Sequence, residues 1–303
     1  MKNKLIAIIG PTGSKKSYVA MELAKFLNYQ AEIISVDSFQ VYKEISVGIN
    51  KPSKKSLELV KHYFVDHISI NDEWNIKIFQ NQCNDIIDSI FKKNMLPILC
   101  GGSHLYLDVV TQNYNLDNTP QRNRNLYKNL ANDELYQKLL IIDPYEAIKI
   151  TKNNRKRLER ALEIYEVTGK TKALANLNNP IKYEVLYVFC NLNNRNDLMD
   201  ILNKRTLMMY QNNWVEEVNY LIKKYPNFVH SQAAKAIGYS YIINCILNNV
   251  SVDVSNLQKI VRQLAKRQIT WCKNHYNENK IHFDVFHDDI NALCQKISNF
   301  LKS

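Results

Sequence analysis

The sequence predicts an α/β fold, a parallel sheet flanked by helices with a mostly helical insertion domain, and three observations predict it. Short, fully apolar runs end abruptly in small or polar turns. Stretches with apolar residues at helical spacing separate them. Between residues 115 and 180 the strand-like runs vanish and Asn, Lys and Tyr dominate. Strands buried on both faces read as continuous apolar runs, the mark of a parallel sheet covered by helices.

The first element is residues 5–9, a run rich in isoleucine that ends in Gly10-Pro11-Thr12-Gly13. Ala20, Leu23, Ala24 and Leu27 then recur at i, i+3, i+4 and i+7, so a helix follows. Residues 32–35 form a second strand that stops at Val36-Asp37-Ser38, and residues 96–100 a third that stops at Gly101-Gly102-Ser103. Ligands of such sheets bind beyond the carboxyl ends of the strands, so three loops converge on one site. The polar stretch 115–125 opens the insertion. There Leu158, Ala161, Leu162 and Tyr165 make the apolar stripe of a helix that Gly169 terminates, with Lys152, Lys156 and Arg160 on another face. Residues 183–189 return as a strand, and the rest reads as helical. Its core stripe is Leu257, Ile260, Val261 and Leu264, flanked by Lys259, Arg262 and Lys266. The expected organisation is residues 1–114 as the first part of the α/β core, 115–180 as the helical insertion, and 181–303 as the return strand and C-terminal helices completing the core.

Composition narrows the class. Of 303 residues 46% are hydrophobic and 23% charged, with seven glycines and seven prolines, which excludes a collagenous or disordered chain. Lys plus Arg number 40 against 29 for Asp plus Glu, and the net charge of +11 favours a polyanionic partner, although a drift toward lysine produces the same excess. Six scattered cysteines without a Cys-x-x-Cys pair speak against a disulfide framework and a thiolate metal site, and read as reduced core thiols. Cys272 and His275 lack a second pair at zinc-finger spacing. The first apolar run is too short for a signal peptide, and no stretch nears the ~18 apolar residues of a membrane span. A cytoplasmic protein is expected.

Gly10-Pro-Thr-Gly-Ser-Lys-Lys16-Ser17 nearly fits the phosphate-binding pattern G-x-x-x-x-G-K-[ST] between a strand and a helix, so the sheet is of P-loop type. Successive backbone N–H groups at a helix start face a phosphate, Lys16 adds a full charge, and Ser17 offers an oxygen to Mg²⁺. Lys15 stands where the second glycine belongs, which removes conformational freedom and brings a bulky side chain to the phosphate side.

Beyond the P-loop stand Ser35-Val-Asp37-Ser38-Phe-Gln40-Val-Tyr42, Gly48, Lys51-Pro52, the segment from Leu96 through Gly101-Gly102-Ser103 to Tyr106, and Asp143-Pro144. Asn153-Asn154, Arg157-Leu158, Arg160-Ala161-Leu162-Glu163, Thr168-Gly169-Lys170, Ala236-Ile237-Gly238-Tyr239 and the run from Arg262 to Trp271 follow. In this order these motifs resemble those of the tRNA isopentenyltransferase (IPP transferase) family, in its bacterial type. The resemblance spans residue 5 to about 284. It departs at Lys15, Ile49, Lys61 and Tyr63, and no zinc finger follows the last match, so a bacterial or organellar form is expected.

The resemblance implies transfer of a prenyl group from dimethylallyl diphosphate to the adenosine just 3′ of the anticodon, with Mg²⁺ and no organic cofactor. An adenine N6 amine is a poor nucleophile and gains from a carboxylate that takes its proton, and Asp37 is the candidate, although a turn aspartate after a strand is the plain alternative. Residues Gly10, Pro11, Thr12, Gly13, Ser14, Lys15, Lys16 and Ser17 would hold the diphosphate, with Arg205 reaching it by family analogy. Asp37, Ser38, Phe39, Gln40 and Ser103 would meet an extruded acceptor base, against alternatives in which Phe39 is core and Ser103 caps a helix. Family positions that touch tRNA fall on Lys156, Arg157, Leu158, Glu159 and Arg160, and on Lys235, Ala236, Ile237, Gly238, Tyr239 and Ser240. An exposed Tyr239 is expected to stack on RNA, although either charged run reads equally as a solvated face. Arg122 or Arg124 would meet RNA too. Arg262, Lys266 and Arg267 are alternatively supports of the site through salt bridges, with Trp271 in the core. The partners expected are the tRNA anticodon stem-loop and dimethylallyl diphosphate, with no membrane and a monomeric chain. Two other readings stay open: a P-loop nucleotide kinase, which would turn over nucleotide without prenylation, and a tRNA-binding relic inactivated by Lys15.

Overall fold

In the computed structural model, residues 3–116, 126–171, 174, 179–276 and 279–303 are described. The apolar run at the amino end becomes β1 (Asn3–Ile9), whose last five residues are buried, as continuous isoleucines and alanine demand of a strand covered on both faces. It is followed by α1 (Lys16–Phe26), β2 (Ala31–Val36), α2 (Lys54–Leu59), β3 (His62–Tyr63), α3 (Ile76–Lys92), β4 (Leu96–Gly101) and α4 (His104–Thr111). After the insertion come β5 (Tyr183–Cys190), α8 (Arg195–Gln211), α9 (Trp214–Lys224), α10 (Tyr239–Leu247), α11 (Val254–Asn274), β6 (Lys280–Phe283) and α12 (Ile290–Lys302). The sheet order is β3-β2-β4-β1-β5-β6, and every pairing is parallel. The three strands expected before the insertion and the return strand all form. The C-terminal region is not wholly helical as expected, because β6 pairs with β5 from Tyr187 opposite Lys280 to Cys190 opposite Phe283. A four-residue edge strand with the pattern Lys-Ile-His-Phe buries too little apolar surface to show in the sequence.

The chain divides into two compact units, residues 1–107 with 183–303, and residues 108–182. In the first, Ile6 and Ile8 of β1 pack with Val19, Ala20, Leu23 and Ala24 of α1 and with Leu293, Cys294 and Ile297 of α12. Each fully buried Val, Leu or Ile among them contributes about 1.5–3 kcal/mol of burial free energy. A separate cluster of Leu192, Leu198, Leu202, Val261 and Ala265 packs α8 against α11. Asn203 of α8 reinforces it, its carbonyl accepting from Gln258 Nε2 at 3.1 Å and its Oδ1 from Arg262 Nη1.

The second unit holds α5 (Asn132–Ile142), α6 (Pro144–Lys149) and α7 (Arg155–Thr168) around Leu135, Leu139, Ala147, Leu158, Ala161 and Leu162. Asp143 caps α6 by accepting from Glu146 N, and Pro144 opens that helix where its missing N–H is harmless. Gly169, at φ 65, ends α7 as the sequence predicts. Arg155 ties α7 to the turn before α5 through the carbonyls of Leu130 and Tyr127, both at 2.6 Å.

Candidate active site

The loops after β1, β2 and β4 and the helices α8 and α11 enclose a cavity of about 860 Å³ in the first unit, within the size range of small-molecule sites. Thr12, Gly13, Lys15, Lys16 and Ser17 line one end. Gly10 takes φ 147, and a methyl group there would lie 2.1 Å from the Cys190 carbonyl oxygen, so the turn out of β1 admits only glycine. Ser14 Oγ donates to the Pro11 carbonyl at 2.9 Å and shapes the loop from within. Lys16 Nζ donates to the same carbonyl at 2.6 Å, which holds the ammonium over its own loop. Burial pushes the Lys16 pKa down, against the opposing influence of Cys100, Cys190 and Asp37. A desolvated cation of this kind binds an anion strongly because little hydration remains to be lost.

Lys15 caps α1 with φ 54 and ψ 28, the left-handed conformation that favours glycine. Its side chain is exposed, and its ammonium lies 4.0 Å from the centroid of the Phe286 ring. The bulk expected on the phosphate side is therefore anchored outside the loop, on the segment between β6 and α12. The left-handed backbone costs Lys15 about 1–2 kcal/mol, and a cation–π contact at an exposed site returns about 0.5–1 kcal/mol.

Two long-range contacts hold the phosphate loop. Gln268 of α11 accepts from Thr12 N at 2.8 Å through Oε1 and donates to the Gly102 carbonyl at 3.0 Å through Nε2, bridging the loops after β1 and β4. Arg205 of α8 donates to Thr12 Oγ1 at 3.3 Å. Burial lowers the Arg205 pKa, and the charge of Asp37 opposes the shift, so the two groups sense each other across the cavity.

The other end is built on the loop after β2. Asp37 Oδ1 accepts from Phe39 N at 2.9 Å and Gln40 N at 3.3 Å, so the turn-aspartate alternative describes that oxygen. Asp37 also lines the cavity, and its Oδ2 accepts nothing from the described residues. Ser103 Oγ accepts from Ser38 N at 3.1 Å and lies 2.8 Å from Ser38 Oγ, joining the loops after β2 and β4. Gln40 accepts from Ser35 Oγ at 2.7 Å and donates to the Asn50 carbonyl at 2.6 Å. Phe39 is half-buried and lines the cavity rather than the core.

His104 and Trp271 form a side wall, stacked with ring planes 9° apart, and His275 also stacks on the indole, at 4.1 Å. Burial, then the Lys16 charge, pushes His104 down to about 4. Trp271 is thus a half-exposed cavity residue and not the core residue expected. Among the described residues, Arg262, Lys266 and Arg267 make no salt bridge; Arg262 instead donates a hydrogen bond to Asn203 Oδ1, and Gln268 bridges the loops.

Lys235 and Ile237 reach the cavity, whereas Ala236, Gly238 and Tyr239 are buried and Ser240 is exposed. The exposed, stacking Tyr239 expected from sequence is corrected: its ring is fully buried against Trp214, and its hydroxyl donates to Glu217 Oε1. In the second unit Lys156, Arg157 and Glu159 lie on α7 with Arg160, which pairs with Glu163 at 3.1 Å. Leu158 is fully buried in that unit's core, so direct contact with RNA is excluded for its side chain. Arg122 and Arg124 lie outside the described residues. Sequence reasoning assigned no role to His104, Gln268 or Glu217. Gln268 sits inside a family-like run that offered a signal, whereas nothing local marks Glu217.

A family model described as IPP transferase matches residues 40–275. A tRNA dimethylallyltransferase of Malacoplasma penetrans is 42% identical over 304 residues, covering 99% of both chains. The crystal structure of a full-length tRNA isopentenylpyrophosphate transferase from Bacillus halodurans superposes with a TM-score of 0.72 at 29% identity, covering 99% of this chain and 96% of that one. A eukaryotic dimethylallyltransferase captured acting on tRNA gives 0.81 at 25% identity, over 99% of this chain and 80% of that one.

Proposed function

The chain belongs to the IPP transferase family, and on that premise we propose that it transfers a dimethylallyl group from dimethylallyl diphosphate to N6 of the adenosine immediately 3′ of the anticodon in tRNA. The observation that carries the reading is the pairing, in one cavity, of a desolvated P-loop ammonium with a carboxylate that keeps one oxygen uncommitted. The N6 lone pair forms a bond to the allylic carbon as that carbon's bond to the diphosphate oxygen breaks. The departing diphosphate takes the bonding electrons, and the N6 proton passes to Asp37 Oδ2. Lys16, Arg205 and backbone N–H groups at the start of α1 meet the growing negative charge in this reading. Ser38, Phe39, Gln40 and Ser103 meet the extruded base. The basic residues of α7 and Lys235 contact tRNA phosphates.

Mg²⁺ fits this donor set. Ser17 lines the cavity beside Lys16 and carries the oxygen donor that Mg²⁺ takes. Ser17 would be the protein ligand, with substrate phosphates and water completing the shell, and the ion would neutralise leaving-group charge. No helix among the described residues is long and apolar enough to cross a membrane. We take the enzyme to work in the cytoplasm as a monomer.

Incubation with dimethylallyl diphosphate, Mg²⁺ and unmodified tRNA, followed by mass analysis of nucleosides, is expected to give a prenylated adenosine. Nucleotide turnover without that product would restore the kinase reading. Bound tRNA without product, with transfer appearing in Lys15→Gly, would identify a relic.

A further inference from the structure

The buried Tyr239 belongs to a polar hub whose centre is Glu217, in the first turn of α9. Glu217 Oε2 accepts from Ser46 N at 3.0 Å, Ser46 Oγ at 2.6 Å and Val47 N at 2.9 Å, and Oε1 accepts from the Tyr239 hydroxyl. The same hydroxyl oxygen receives Gly48 N at 3.2 Å. One carboxylate and one phenol thus satisfy three successive backbone amides, 46–48, which no strand or helix pairs. Burial first, and then Glu217, raises the Tyr239 pKa, so the phenol stays neutral and remains the donor.

Packing underwrites the hub. Trp214, two residues before the start of the Glu216-Glu217 pair, is fully buried between two glycines. A methyl group at Gly48 would lie 2.3 Å from the indole, and one at Gly238 2.4 Å from it, so both chain segments are pressed against the ring. Both segments go on to line the cavity, Gly48, Ile49 and Asn50 from one and Lys235 and Ile237 from the other. Asn50 in turn accepts from Gln40, so the hub connects to the loop proposed to meet the acceptor base.

We propose that Glu217 is a positioning residue for the nucleic-acid substrate: by joining loop 46–48 to Tyr239 it fixes, relative to each other, two segments that line the cavity end proposed to take the acceptor base. The assignment rests on the reading of the chain as a tRNA-modifying transferase. Glu217 does not touch the reacting atoms, and it acts through the two segments. Glu216, in the same helical turn, is exposed and makes none of these bonds, so it shares with Glu217 any influence on the helix dipole but not the hub.

The test is steady-state kinetics with each substrate varied separately, in Glu217→Ala, Tyr239→Phe and the control Glu216→Ala. Glu217→Ala is expected to raise KM for tRNA about tenfold while KM for dimethylallyl diphosphate moves less than about twofold. Tyr239→Phe should raise KM for tRNA about threefold, the double variant should be no worse than Glu217→Ala alone, and Glu216→Ala should match the parent. Parallel rises in both KM values, or an unchanged KM for tRNA in folded variants, would overturn the assignment. Should Glu217→Ala not fold, the near-isosteric Tyr239→Phe decides. If the parent chain makes no prenylated adenosine, the functional reading fails by itself. The tRNA dissociation constants of the same variants then test the hub, with a tenfold weakening supporting it and no weakening sinking it.

Discussion

The phosphate-loop end and the acceptor end of the cavity are built by different means. At the first, one contiguous stretch, residues 10–17, supplies the turn, the amides and the cation, and the helix start that follows aims them. At the second, the loop holding Asp37 and Gln40, loop 46–50 and residues 235–239 come from three separate places in the chain. Side-chain hydrogen bonds hold them together, centred on Glu217 and Ser103. The anion-facing turn is set by local backbone geometry and then braced by Gln268 and Arg205, whereas the end proposed for a purine is assembled wholly from remote segments, and no local sequence can set the distance between those.

Substitutions that separate the two ends sharpen this contrast. The largest effect is expected of Asp37→Ala, which removes the proposed base: transfer should fall by about 10²- to 10⁴-fold with tRNA affinity retained, measured by single-turnover transfer and by filter binding. Next, Lys16→Ala removes a charge-assisted contact and should raise KM for dimethylallyl diphosphate by roughly 10- to 100-fold. KM for tRNA should move less than about threefold in that variant. An equal rise in both would erase the distinction between the ends.

The side wall gives a smaller, pH-dependent signal. His104 is pushed from its ordinary 6.5 down to about 4, so the folded state binds its proton less readily than the unfolded chain does. Its contribution to stability is therefore complete above about pH 6.5 and is lost as pH falls toward 4. Melting temperature across that window should drop more steeply in the parent than in His104→Gln. A parallel pair of curves would place the imidazole outside the buried stack.

The smallest effect is expected of Lys15→Gly. Relief of the left-handed backbone, loss of the Phe286 contact and greater freedom of the unfolded chain are each about 1 kcal/mol and oppose one another. KM for dimethylallyl diphosphate should change less than about threefold, and a large improvement would show that Lys15 obstructs the loop after all.

The sequence by itself determined the parallel sheet, the strand-turn-helix of the phosphate loop and the helix ended by Gly169, because apolar runs, helical spacing and a glycine past a helix end are local signals. It also carried the family motifs, and with them Asp37 and Lys16. Only the tertiary structure decided that Tyr239 is buried, that Trp271 walls the cavity, that the Lys15 ammonium rests on Phe286, and that Gln268 and Glu217 fasten loops distant in sequence. The physical reason is the same in each case. Burial and hydrogen-bond partnership depend on which remote surfaces meet, and an aromatic, a glutamine or a glutamate at a helix start has the same local preferences whether it faces water, a cavity or another loop.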